Sequence, residues 1–108
     1  MSTNFRTFIG DAERDLTLTP IMVLELERLT GMGIGALMSR VTHRQFHHAD
    51  LLQIIRLGLI GGGEAPERAA QFVQIYVAPR PISEILPGAI GALEALWFGS
   101  APQEENRQ

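Results

Sequence analysis

Apolar positions follow two periods along this chain, a period of two near the start and a helical period thereafter. Phe8 and Ile9 precede Gly10-Asp11, and Leu16 and Leu18 alternate with Asp15 and Thr17. That alternation around a Gly-Asp pair predicts a β-hairpin over residues 4–18 with its turn near residues 10–13. Thr19-Pro20 then offers a capping hydroxyl followed by proline at the first helical position, where its missing N–H costs nothing. A helix over 19–30 follows, with Met22, Val23, Leu26 and Leu29 on one stripe, Glu25 and Arg28 on the wet face, and Gly31 as its stop. Ile34, Leu37, Met38 and Val41 recur at i, i+3, i+4 and i+7 and predict a second helix over 34–43. The third, over 48–60, opens with Asp50 at the positive end of the helix dipole. It is apolar nearly all round, which predicts a central position with Ile54 and Ile55 buried.

The glycines at 61–63 read as the end of that helix or a flexible hinge. Pro66 opens a fourth helix over 65–78, with Ala69, Phe72, Val73 and Tyr76 as its inward stripe. A fifth, over 81–98, keeps one phase through Ile82, Ile85, Leu86, Ala89, Leu93, Leu96 and Trp97 although Pro87 lies inside it, as one kinked helix would. The predicted fold is mainly α (α+β), an N-terminal β-hairpin followed by a compact bundle of four to five helices. It forms a single domain over residues 1–99, with a polar tail at 100–108 expected to be disordered.

Composition narrows the chemistry. At 108 residues and 45% hydrophobic, the chain suits one core. Having no cysteine, it has no disulfide, iron–sulfur ligand or thiol nucleophile, which fits a reducing compartment. All its basic residues are arginines, so a Walker A lysine and a Schiff-base lysine are both excluded. Those arginines are spaced singly in a chain of net charge −3, and no apolar run approaches the roughly 18 residues of a membrane span. Neither nucleic acid nor membrane is expected as a partner, and the first residues lack the pattern of a secretory signal.

The remaining motifs have plainer explanations than catalysis. Gly31-Met32-Gly33-Ile34-Gly35-Ala36 fits a relaxed dinucleotide fingerprint, but the segment before it is an amphipathic helix where that fingerprint needs a strand. His43 and His47 straddle a predicted loop that leaves their relative geometry unspecified, and no Glu completes an H-E-x-x-H pattern, so with His48 they read as solvated or capping histidines. Glu25 and Glu27 lie two apart on a helix, diverge by about 200°, and read as surface residues. No serine sits in a nucleophile elbow. The expectation is a protein without catalytic, cofactor or metal residues, not an enzyme.

The order of the blocks is informative in another way. Leu18-Thr19 with Leu24, Leu26 and Glu27, then Asp50-Leu51-Leu52 with Ile55, then Gly58-Leu59 with Gly61-Gly62-Gly63 follow one another after a hairpin. This order, over about residues 5–99, resembles the tail assembly chaperone family of gene transfer agents and long-tailed phages, also labelled tail tube related. Pro20 and Ile21 stand where that family commonly has Gly and Ala, and residues 77–81 are unusually rich in proline. The resemblance implies a chaperone that binds the tape-measure protein while tail tube protein polymerises round it, in the bacterial host cytoplasm, with self-association possible. A structural tube or connector component retained in the particle is the alternative. Under the first reading Met22, Met32 and Met38 offer adaptable apolar contacts to a partner helix, and Trp97 with Phe98 an aromatic surface at the end of the last helix.

Overall fold

The computed structural model describes residues 2–100. Strands β1 (Asn4–Ile9) and β2 (Ala12–Thr17) pair antiparallel, with Ile9 opposite Ala12 across a two-residue turn. Gly10 takes φ +72° at the first central position, the placement that hairpin turns reserve for glycine. Helices α1 (Pro20–Thr30), α2 (Ile34–Thr42), α3 (His48–Gly61), α4 (Pro66–Phe72) and α5 (Ile82–Phe98) follow. The hairpin and five-helix order is the one the periodicities predict.

Local chemistry sets the helix starts. Thr19 Oγ1 accepts the Met22 N–H at 3.3 Å, with Pro20 in the first turn as expected. At α3, the Asp50 carboxylate reaches back to accept the His47 N–H at 2.9 Å and thereby closes the N-terminus. Asp50 is only 5% exposed, so this cap is the buried polar contact of the core. Helix α2 has a cap that its own sequence does not provide. Glu27 of α1 accepts the Ile34 N–H at 2.8 Å, so a carboxylate that reads as a surface residue holds two helices together.

Helix α3 lies at the centre, touching β2, α5, α1 and α4, and Leu51, Ile54, Ile55, Leu57 and Leu59 are buried on several of its sides. Its contact with the sheet explains the glycines. Gly58, Gly61 and Gly62 fall at i, i+3 and i+4 on one face, and β2 lies directly on them. A Cβ at Gly61 would fall on the Thr17 carbonyl, one at Gly62 on the Asp15 carbonyl, and one at Gly58 would lie 3.1 Å from Leu16 Cβ. The hinge expectation is therefore corrected: Gly61 and Gly62 form a packed seat for a strand. They are small because backbone meets backbone there. In α5, Gly91 plays the corresponding part for the Phe5 ring.

The fourth helical segment departs from its predicted stripe. After Phe72 the backbone widens into a π-helical turn over Val73–Val77, in which the Ala78 N–H donates to the Val73 carbonyl five residues back at 2.7 Å. A π turn winds less per residue than an α-helix, so the inward positions become Ala69, Val73 and Val77 while Tyr76 turns outward. Helix α5 continues unbroken through Pro87 as one element. Beyond it, the Ser100 N–H donates to the Ser2 carbonyl at 2.6 Å, which gives the first residue of the expected tail a defined place beside the hairpin; residues 101–108 lie outside the described residues.

The outer face of the hairpin carries a polar network. Asp15 accepts from Asn4 Nδ2 at 3.1 Å and from Arg6 Nη1 at 2.9 Å. The bond from Asn4, then the bond from Arg6, hold its carboxyl below the ordinary value of 3.8. Because the folded value is depressed, the stabilisation is present above pH 3.8 and is lost as pH falls through the folded value. Asp15→Asn should flatten the acid limb of a urea-midpoint titration below that pH. The change should be small, since the exposed carboxylate is screened by solvent.

Candidate functional site

Exposed apolar surface stands out at two places among the described residues. Trp97 and Phe98 occupy the last turn of α5, past the inward-facing Ala89, Ala92 and Leu93, and are 55% and 69% exposed. The indole is not free-standing. Its Cη2 lies 4.0 Å from where a Cβ would stand at Gly35, so the ring lies over the first turn of α2. The three methionines are placed differently. Met22, Met32 and Met38 are half-buried and pack against the core, and Met32 also lines a shallow depression with Ala36, Arg40 and His43. The five predicted contact residues thus divide into three half-buried thioethers and two exposed rings.

A second apolar site has no counterpart in the sequence pattern. Between the hairpin tip and the start of α5 lies a groove of about 360 Å³ with Ile9, Ile55, Val77 and Ile85 among its lining residues. Phe8, 64% exposed, and Tyr76, 51% exposed, stand at its rim, and Arg80 and Glu84 cross another side as an ion pair at 3.1 Å. Its shape follows from two local events. The π turn rotates Tyr76 out of the core, and Pro79 with Pro81 separates that turn from α5. The hairpin tip is fixed over the neighbouring face: Gly10 sits against the Phe72 ring, Arg14 lies 4.2 Å above the same ring, and Phe72 packs on Tyr76 with centroids 5.2 Å apart. The clue in the sequence was the Tyr-Val-Ala-Pro-Arg-Pro run, which marks a helix end but not the phase slip before it.

Two of the three histidines have local roles. His43 Nδ1 contacts the Ser39 carbonyl at 2.8 Å, and His47 is the residue before α3. Among the described residues no three His, Cys, Asp or Glu side chains come together as a metal-ligand group, and no helix is long and apolar enough to cross a membrane.

Residues 2–99 match the model of the family described as Phage tail tube protein, GTA-gp10. The chain belongs to that family. Neither a curated protein nor a solved structure matches it. The matched stretch of this phage and gene transfer agent tail family runs from two residues before β1 to the residue after α5, so it takes in the hairpin, the glycine seat and both apolar surfaces.

Proposed function

We propose that the protein is a tail assembly chaperone that holds the apolar face of a tape-measure protein helix while tail tube subunits polymerise. The observation that carries this reading is the groove at the hairpin tip, apolar in its floor and rimmed by Phe8, Tyr76 and the Arg80–Glu84 pair. An amphipathic helix needs such a surface: apolar depth for its anchor residues and polar groups at the edge for its flanks. Trp97 and Phe98 provide a second apolar contact on the same helix, α5. Adaptable contacts from the edges of Met22, Met32 and Met38 would add to it as the partner settles.

The family's description supports a second reading at least as directly, a structural tube or connector protein retained in the particle. The two readings differ in stoichiometry. Mass spectrometry of purified particles should find the chaperone absent and the structural protein at tube-like copy number.

The contact residues are tested by co-expression with the tape-measure protein. Tyr76→Glu and Trp97→Glu change half-exposed side chains, so each should stay folded; losing the Tyr76–Phe72 packing should cost about 1 kcal/mol and lower the melting temperature by about 4–8 °C. Each is expected to shift the tape-measure protein from the soluble to the insoluble fraction. Because apolar burial depends weakly on salt, the complex should persist at about 0.5 M salt, where one held by exposed arginines would dissociate. Soluble tape-measure protein with both variants would remove these surfaces from the reading.

A further inference from the structure

The hairpin has an edge whose hydrogen-bonding groups are unpaired, and its register fixes which ones. A two-residue loop makes Ile9 and Ala12 a hydrogen-bonded pair, and alternation makes Thr7 with Arg14 and Phe5 with Leu16 the others. The main-chain N–H and C=O groups of Asn4, Arg6 and Phe8 therefore point away from β2. Those of Asn4 are engaged: its N–H donates to Ser2 Oγ at 3.3 Å and its carbonyl accepts from the Ser100 hydroxyl. Gly10 turns the chain away at the other end. Arg6 and Phe8 remain, with no partner for their outward groups among the described residues. The far edge of β2 is covered at Asp15 and Thr17, whose carbonyls face the glycines of α3.

We infer that this two-residue window pairs with the same window of a second copy of the chain, antiparallel about a twofold axis at Thr7. In that register Arg6 pairs with Phe8 of the second copy and Phe8 with its Arg6, so the four open groups on each copy form four hydrogen bonds. Neighbouring registers fail. Centring on Arg6 places like charges opposite each other and directs Phe8 at the occupied Asn4, while centring on Phe8 directs Arg6 at the turn. The side chains agree with the main chain. Across the outer face of the joined sheet the row reads Glu13, Phe8, then Arg6 and Asp15 of the second copy, an acid, an aromatic ring, a base and an acid, repeated by the twofold. Each Arg6, already 2.9 Å from Asp15 and 3.8 Å from Glu13 of its own copy, gains the facing Phe8 ring, and no like charges lie directly opposite. The result is a four-stranded sheet in which each Phe8 ring gains a facing Arg6 side chain as a lateral neighbour. Its contact is short, so it belongs with weak interfaces burying less than about 1,200 Å². Thr7 and Phe8 also line the groove proposed for the tape-measure helix, so the two occupants would compete for this edge, and the pairing is tested on the protein alone.

The test uses a chain without cysteine, so Thr7→Cys introduces the only thiol. Two such residues facing each other as a non-hydrogen-bonded pair have Cα atoms about 4.5 Å apart, within disulfide reach. Under mild oxidation Thr7→Cys should form a covalent dimer about tenfold faster than Glu67→Cys, an exposed site on α4, as proximity requires. Adding Phe8→Pro removes one outward N–H and none of the β1–β2 bonds, and should return the rate to that of the control. Should the proline variant fail to fold, amide exchange of the unmodified protein decides: the Arg6 and Phe8 amides should slow between about 10 µM and 1 mM protein. Thr7→Cys coupling no faster than the control, or exchange at Arg6 and Phe8 independent of concentration, overturns the pairing. So does slowing that appears only on adding another protein, since the edge would then serve a different strand.

Discussion

Gly61→Ala should destabilise the protein by about 3 kcal/mol, the upper part of the range for overpacking. The added methyl falls on the Thr17 carbonyl, and main chain on both sides leaves no flexible side chain to give way. Relief requires β2 to lift from α3, which would also disturb Leu16 and Leu18, two fully buried residues carried by or next to that strand. A two-stranded hairpin has little stability of its own, so its loss of seating should propagate to the pairing with β1. Urea denaturation of Gly61→Ala beside Gly35→Ala measures this. At Gly35 the nearest atom is Trp97 Cη2 at 4.0 Å, and alanine in an open helical position should instead stabilise by about 0.5–1 kcal/mol. Equal effects of the two substitutions would mean that helix propensity, and not the seat, governs this glycine.

Ile55→Ala is expected to cost about 2–5 kcal/mol, the loss of buried methyl groups plus the cavity left behind. Ile55 is almost wholly enclosed in α3, within reach of the hairpin and α5, so there is no single neighbour that can relax into the space. Against the roughly 5–15 kcal/mol that stabilises a domain of this size, such a loss should lower the melting temperature markedly. Because Ile55 also lines the groove, the void should open toward it and the variant should bind small apolar probes there more readily. A loss below about 1 kcal/mol would indicate that the centre of the bundle is loosely packed.

What could be read in advance follows the range of the physics involved. The hairpin, the Thr19-Pro20 helix start, the stripe of α2 and the burial of Ile54 and Ile55 each depend on neighbours a few residues apart, and the sequence displays those directly. Glu27 capping α2, the seat at Gly58, Gly61 and Gly62, and the groove under the hairpin tip depend on which elements meet, a question that local periodicity does not address. Tyr76 is a sharper case. Its spacing from Ala69, Phe72 and Val73 fits an ideal α-helical face, and the pattern fails because the backbone leaves that period at Val73. Among the predicted contact residues, Trp97 and Phe98 sit at a helix end where exposure depends on how far α5 outruns the core, and helical periodicity carries no information about that length.

The π turn has a consequence for insertions and deletions. Compared with an α-helix, it holds one surplus residue between Val73 and Val77, and the surplus lies on the outer side with Gln74, Ile75 and Tyr76. Deleting Gln74 would leave the two valines three apart, a spacing that an ordinary α-helix also keeps on one face. The buried valines can therefore retain their register while the exposed surface loses its bulge. At this site a single-codon deletion changes the outer contour of the protein and spares its interior, a separation that substitutions at Ile75 or Tyr76 cannot achieve.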